Sequence, residues 1–332
     1  MRVVITGATG FLGRNLALGL HADGLEVIAS GRSTAVGAQL EAAGIPFQAA
    51  DLANEDQLRR AFANAECVIH CAARSGPWGA YQQHFEANVE GTRRVIAACH
   101  SHGIERLLFI STPGVYFSHR DRLDVRETDP LPSRQLSHYS ATKLIAEAEL
   151  TAAAARGDLE VLTLRPRALH GPFDSIFTPR ILRMASSGSV PLIDGGHALV
   201  DVTYVENCVD AIRLALAATD DAWNAVYNIS NGDPITVRQW YQGVVEASGM
   251  QLRAHNVPLP VARARAALAE LSARLPWSRR PPLLTRASVD YLAWTMTMSI
   301  DAARTRLGYT PRVGNQEGFE RTAAWFRSRS PR

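Results

Sequence analysis

Residues Thr6-Gly7-Ala8-Thr9-Gly10-Phe11-Leu12-Gly13 set three glycines between an apolar run, Val3-Val4-Ile5, and a helical pattern that opens near Phe11. Few short patterns restrict a fold as much. The first glycine permits a tight turn, the second lets backbone approach a pyrophosphate, and the third lets helix and strand pack closely. The helix start then turns free amides and the positive end of its dipole toward the phosphates. Alone such a motif is weak; a strand before it and a helix behind it give it meaning. Gly7, Gly10, Phe11, Leu12 and Gly13 are expected to hold the phosphates of a dinucleotide.

The alternation continues. Strand-like runs at Glu26-Val27-Ile28-Ala29, Phe47-Gln48-Ala49, Cys67-Val68-Ile69, Leu107-Leu108-Phe109-Ile110 and Val161-Leu162-Thr163-Leu164 are separated by helical patterns near residues 35–43, 55–62, 88–99 and around 139–143. Short apolar runs buried on both faces read as parallel strands covered by helices. Beyond Pro166 the order loosens, and the segments 200–205 and 226–230 are expected to return to the main sheet. The expected fold is α/β: a Rossmann-type doubly wound parallel sheet from residues 1–166 plus 199–232, with a smaller C-terminal substrate lobe from 167–198 plus 233–332. Ligands of such sheets bind at the carboxyl ends of the strands.

The second strand ends in Ala29-Ser30-Gly31-Arg32-Ser33. A carboxylate there would bind a ribose 2′-hydroxyl, whereas an Arg suits a 2′-phosphate. No acid is present and Arg32 is, so NADP(H) is the expected cofactor and NAD(H) the alternative. Asp51, after the third run, either accepts from the adenine amino group or caps the next helix; Leu52 beside it is expected at the same place.

The chain has 35 Lys and Arg in total, and Lys143 is its one lysine. It stands four residues after Tyr139, so on a helix the two share a face. A chain that elsewhere chose Arg has kept a compact ammonium on a slim stem at this one place. A cation near a phenol favours phenolate and would bring the tyrosine toward working pH.

A formal charge of +3, with no lysine-rich tract and no basic and aromatic residues interleaved, gives no support to nucleic-acid binding. Cys67, Cys71, Cys99 and Cys208 have neither metal-ligand spacing nor a disulfide pattern, so no metal and a reducing, cytoplasmic setting are expected. The first strand begins at Arg2, leaving no room for a signal peptide, and no apolar run is long enough to cross a bilayer. A soluble protein is expected.

The glycine fingerprint, the Tyr139/Lys143 pair, Ser111-Thr112-Pro113-Gly114-Val115-Tyr116 and Asn88-Val89-Glu90-Gly91-Thr92 together resemble the extended short-chain dehydrogenase/reductase family over the full length. The resemblance implies that Tyr139 is the general acid/base, that Lys143 lowers its pKa and holds the nicotinamide ribose, and that Thr112, with Ser111 its neighbour, polarises the reacting oxygen. It implies a helix-positioning or proton-relay role for Asn88. His70, Ala72 and Ala73 would line the cofactor, and Pro166 would pass the nicotinamide. A homodimer is expected.

Departures narrow the branch. Sugar-nucleotide dehydratases carry acids directly after the Thr; here Pro113 and Gly114 follow. Epimerases usually enter the late strand with an Arg that grips a diphosphate; here Leu199 and Val200 stand there, leaving Arg167 and Arg180 as the substitutes. The runs Leu199-Val200-Asp201-Val202-Thr203-Tyr204-Val205-Glu206-Asn207 and Tyr227-Asn228-Ile229-Ser230-Asn231-Gly232 are similar to the 3β-hydroxysteroid and sterol-4-carboxylate 3-dehydrogenase branch. Gly76-Pro77-Trp78-Gly79 is similar to bacterial reductases of 2-alkyl-3-oxoalkanoates. The implied reaction interconverts a ketone and a secondary alcohol on a hydrophobic small molecule, steroid-like or 3-oxoacid-like, with Trp78, Tyr81 and Phe85 at the substrate mouth or else packing a helix start. A nucleotide-sugar epimerase, or a non-catalytic NADP-sensing or assembly protein, are the competing readings. Residues 253–286 hold seven Arg against one Glu, with Leu268, Leu271, Leu275 and Trp277 near helical spacing; this is either a lid or a helix touching a membrane surface.

Overall fold

A computed structural model describes residues 1–275, 282 and 284–329; Trp277 lies outside them. Seven parallel strands form the main sheet: β1 (Arg2–Thr6), β2 (Glu26–Gly31), β3 (Phe47–Ala49), β4 (Cys67–His70), β5 (Arg106–Ile110), β6 (Glu160–Pro166) and β7 (Ala225–Ile229). Their order across the sheet is β7-β6-β5-β4-β1-β2-β3, so the direction of winding reverses between β1 and β4. A crevice for a dinucleotide opens outside the carboxyl ends at such a reversal.

Alternation within the strands builds the two faces. Val3, Ile5, Cys67, Ile69, Leu108, Ile110, Leu162 and Leu164 pack to one side. They meet α1 (Phe11–Ala22) and α2 (Thr34–Glu41). Val4, Val68, Leu107, Phe109 and Val161 point the other way. They meet α3 (Glu55–Ala61), α5 (Gly91–Ser101), which continues the run of α4 (Tyr81–Phe85) and Glu86–Glu90, and α6 (His138–Ala155). Each such side chain contributes roughly 1.5–3 kcal/mol by leaving water. The helix expected through Asn88 is therefore present, but Glu86–Glu90 forms a π turn within it.

The smaller lobe gathers α7 (Thr178–Ser186) and α9 (Val237–Ala247) around Ile181, Leu192, Trp240 and Val244. Between them in the chain, α8 (Val205–Ala217) packs on the α1 side of the main sheet through Cys208 and Ile212. The chain continues through α10 (Leu259–Ala273), α11 (Arg286–Ala293), α12 (Asp301–Leu307) and α13 (Asn315–Arg329). Ala303, Leu307 and Tyr309 return to the α1 side of the large sheet.

One expectation is corrected. Ala225–Ile229 does join the main sheet, beside β6. Residues 200–205 do not. Leu199–Val200 enters a four-stranded sheet with Ile235–Thr236, Met296–Met298 and Arg122–Val125, while Thr203–Tyr204 pairs with Leu169–His170 and Val205 already opens α8. Asp201 breaks the run. Its buried carboxylate accepts from the Met298 amide at 2.8 Å, which ties the chain sideways to the small sheet.

In α10 and α11, Arg263 pairs with Asp290 and Arg286 with Glu270, so part of the basic segment is neutralised within the lobe. Leu268 and Leu271 remain 67% and 62% exposed, so this helix presents an apolar stripe outward. Among the described residues no helix is long and apolar enough to cross a membrane.

Candidate active site

The glycine turn fits a pyrophosphate by its shape. Gly7 has φ +71°, and a Cβ there would lie 2.7 Å from the Ala72 backbone; at Gly13 it would lie 2.3 Å from the Gly7 carbonyl oxygen. Backbone at the end of β1, the start of α1 and the end of β4 is thus in direct contact. Gly10 caps α1 without a side-chain bond, leaving the first-turn amides of Phe11, Leu12 and Gly13 for an anion. Ala72 and Ala73 run along the same edge, partly and fully exposed.

At the end of β2, a Cβ on Gly31 would meet the Thr9 hydroxyl at 2.7 Å, so a side chain at this position would have to displace that of Thr9. Arg32 follows, exposed. Asp51 is also exposed and accepts from the Ala53 amide at 2.9 Å; Asn54, not Asp51, caps α3. Leu52 packs over Gly91 at the start of α5.

His70 is fully buried rather than on the surface of this groove. The Thr92 hydroxyl donates to the Asn88 carbonyl at 2.6 Å, so it accepts from His70 Nε2–H at 3.1 Å. His70 Nδ1 is then the acceptor for the Thr6 hydroxyl at 2.7 Å. Burial, with the Lys143 charge adding to it, holds the imidazole neutral, down to about 3. His70 therefore links β1, β4 and α5 beneath the cofactor edge.

Asn88 is likewise buried and fully engaged. Its Oδ1 accepts from the Arg74 amide at 2.7 Å, and its Nδ2 donates to the Arg74 carbonyl at 3.2 Å and to the Thr142 hydroxyl at 3.0 Å. It ties the loop after β4 to α6. The π turn presents it there.

Thr112 follows β5. Its hydroxyl accepts from the Gly114 amide at 3.0 Å, which leaves its proton for the Tyr139 phenol, with which it is hydrogen-bonded. Ser111 is buried and its hydroxyl has no partner among the described residues. Tyr139 sits in the first turn of α6, capped by Ser137, whose hydroxyl accepts from the Ser140 amide at 3.1 Å. Lys143, one turn on, is 1% exposed; its ammonium donates to the Ile110 carbonyl at 2.6 Å and lies 3.6 Å from the centre of the Phe109 ring. Burial brings it down to about 7, opposed by Glu147 and Cys71.

The expected lowering of the phenol is not the balance found here. Burial pushes Tyr139 up to about 12, and only the Thr112 bond pulls the other way. The reason is burial, with Tyr291 adding to it, while the ammonium is engaged at Ile110 and Phe109.

Of the expected mouth residues, Tyr81 is 42% exposed and meets His138, the neighbour of Tyr139, edge-on with ring centres 5.6 Å apart. Trp78 is partly buried in the preceding loop. Phe85 lies a turn further along, its ring 5.9 Å from the Arg93 guanidinium. Pro166 ends β6, buried and paired with Ile229.

Two groups escaped the sequence reading. Glu147 extends the Tyr139–Lys143 face by another four residues, a spacing that could have flagged it, and is held by Arg165, whose Nε donates to Glu147 Oε1 at 2.9 Å. Burial works against the Arg165 charge, and Glu147 and Tyr116 more than offset it. Tyr291, whose hydroxyl lies 2.9 Å from that of Ser137, comes from a distant helix and leaves no local signal.

Residues 3–230 match the NAD dependent epimerase/dehydratase family. The chain is 34% identical to a 2-alkyl-3-oxoalkanoate reductase of Stenotrophomonas maltophilia across 98% of this chain and 99% of that one. It is 33% identical to a 3beta-hydroxysteroid-dehydrogenase/decarboxylase of Arabidopsis thaliana, across 88% of this chain and 69% of that protein. Among solved structures it superimposes on MoeE5 in complex with UDP-glucuronic acid and NAD with a TM-score of 0.76 and 28% identity, covering 99% of both chains.

Proposed function

The chain belongs to the NAD dependent epimerase/dehydratase family, and within that family of NAD-dependent enzymes we propose that it interconverts a ketone and a secondary alcohol on a hydrophobic substrate, with NADP(H) as the preferred cofactor. The observation that carries the reading is the Thr112–Tyr139 hydrogen bond at the carboxyl edge of the sheet, with Lys143 one turn behind. Two hydroxyls held together, on residues that each keep part of their surface open, make a site for one carbonyl oxygen.

A bound nicotinamide would supply or accept the hydride. The chain's own groups do the rest. Thr112 and Tyr139 donate hydrogen bonds to the oxygen as charge develops on it, and the Tyr139 phenol, high-set by burial, gives up its proton in the reductive direction. Lys143 holds a positive charge under the site and the end of β5 in place. The Phe11–Gly13 amides would hold the pyrophosphate, and Arg32 a 2′-phosphate, since Gly31 brings no competing acid.

The reductase named for 2-alkyl-3-oxoalkanoates and the hydroxysteroid dehydrogenase both act, by their names, on an oxygen of an apolar body. The apolar Leu199 and Val200 support that class over a nucleotide sugar, because Val200 is packed into the lobe core where an epimerase would offer a cation. Turnover assays following cofactor absorbance, across steroids, long-chain 3-oxoacids and UDP-sugars with both cofactors, test the proposal. Conversion confined to UDP-sugars would overturn it.

A further inference from the structure

Arg167 is the residue after Pro166, at the lip of the site. The strands beneath it are locked in register, the Ser111 amide donating to the Leu164 carbonyl at 2.7 Å. The Arg167 guanidinium lies over the Phe117 ring, 4.6 Å from its centre. Phe117 meets Tyr291 edge-on at 4.7 Å, and Tyr291 reaches the Ser137 cap of the helix that carries Tyr139. Arg167, Tyr291, Thr112 and Tyr139 each keep part of their surface open. Tyr291 acts electrostatically on both Arg167 and Tyr139, so it stands between the guanidinium and the phenol.

The guanidinium forms no hydrogen bond and no ion pair among the described residues, and its Nε is buried without a partner. Asp201 acts on it electrostatically but is fully buried and spends both oxygens elsewhere, on the Met298 amide at 2.8 Å and the Ser230 hydroxyl at 3.3 Å. Burial brings Arg167 down to about 10 and pushes Asp201 up to about 6. Two residues earlier the same chain gave a buried guanidinium, Arg165, a carboxylate fork of its own. Arg167, only partly open to water and left without one, stays under-satisfied at its buried Nε unless something from outside completes it.

We propose that Arg167 receives the carboxylate of the substrate, so that the enzyme selects 3-oxoacids, or 3-hydroxyacids in reverse, over neutral ketones and alcohols. This rests on the reading of Thr112 and Tyr139 given above. The planar fork suits a carboxylate held by two bonds. The carbonyl carbon accepts a hydride from reduced nicotinamide, the C=O π pair moves to oxygen, and that oxygen takes the Tyr139 proton; the carboxylate is unchanged. Its ionisation matters chemically. A 3-oxoacid loses carbon dioxide most readily when its carboxyl is protonated and hydrogen-bonded to its own ketone. Arg167 holds the group charged and directed away from that oxygen.

The test compares 3-oxododecanoate with its methyl ester in the full-length protein. Wild-type kcat/KM should favour the acid by about 10- to 100-fold, the span of one charge-assisted hydrogen-bond pair. In Arg167→Gln that ratio should fall toward one, and Arg167→Lys should retain part of it. As a readout apart from turnover, dodecanoate but not dodecanol should raise the wild-type melting temperature, and lose that effect in Arg167→Gln. Equal use of acid and ester by the wild type would overturn the proposal and leave the ketone reductase reading standing, and it needs no variant to fold. Failure to reduce either compound would strike the function itself. Stabilisation by UDP that depends on Arg167 would give the guanidinium to a diphosphate and sink the carboxylate assignment.

Discussion

The Lys143 ammonium donates to the carbonyl oxygen of Ile110 at 2.6 Å, pinning the helix of Tyr139, the proposed acid/base, to the last residue of β5. The space is closed by Phe109, 3.6 Å away, and Lys143 is all but inaccessible. A guanidinium is broader and cannot take that place without moving the strand or the helix. Lys143→Arg should therefore lower turnover by about 10²- to 10⁴-fold, the range for losing acid/base function, while far-ultraviolet circular dichroism stays native. Near-normal turnover would remove the special role given to the one lysine.

The same burial makes a statement about stability. Lys143 titrates at about 7 in place of its ordinary 10.5. Between those values the unfolded chain binds a proton that the folded chain does not, so this residue makes stability rise with pH from neutral upward. Below neutral pH the protonated, buried ammonium carries its full penalty. Lys143→Met should accordingly gain most over the wild type near pH 6, and the gain should shrink toward pH 10. Thermal melts of both proteins at the two pH values measure it; a difference that does not change with pH would contradict the buried titration.

Arg32 and Gly31 act together on cofactor choice. Arg32→Ala should weaken NADPH by about 1–3 kcal/mol and leave NADH nearly unaffected, as read by titration of cofactor fluorescence. Gly31→Asp alone should not produce an NADH enzyme, because its Cβ would fall 2.7 Å from the Thr9 hydroxyl. Tighter NADH than NADPH binding in the wild type would refute the preference.

Asn88 holds the Arg74 peptide by both its N–H and its C=O. Asn88→Ala leaves the Arg74 amide without its partner, at a cost of about 1–3 kcal/mol, while the Arg74 carbonyl keeps His84 and the Thr142 hydroxyl keeps the His138 carbonyl. The loop after β4 should become the first site of limited proteolysis, with kcat/KM falling at least about tenfold. An unchanged cleavage pattern would mean that Asn88 does not secure the loop.

For the competing reading, UDP and UDP-glucose should leave the melting temperature unchanged. Val200 is 2% exposed and part of the lobe core, so it has nothing to offer a phosphate. A bulky apolar ketone should be turned over. Epimerisation of UDP-glucose would displace the branch assignment without touching the fold.

Much of this was legible in the residues because its causes are local. The glycine turn, the strand at Val3–Ile5 and the Tyr139–Lys143 spacing are set by neighbours in the chain, and the structure places each element where those patterns led. What was not legible depends on partners far away. That Lys143 donates to Ile110 follows from a strand 33 residues earlier. That His70 lies under the groove and not along it depends on Thr92 and Thr6. Residues 200–205 read as one strand because their apolar pattern is continuous; only the burial of Asp201 against Met298 divides them.

The π turn at Glu86–Glu90 has a bearing on how such an enzyme can acquire new substrates. A π turn holds one residue more than the α-helical turn it replaces, and one residue is about 100° of rotation about the axis. Everything before it, including Tyr81 and the Trp78 loop, is set at an angle that the helix after it does not fix. Removing a single residue there would swing the aromatic mouth around the axis while Gly91–Ser101 kept its seat on the sheet beside the cofactor groove. With Trp78 and Tyr81 at the substrate mouth, as the sequence leads one to expect, specificity and hydride chemistry would sit on opposite sides of a swivel, and a one-residue length change would retune one without rebuilding the other.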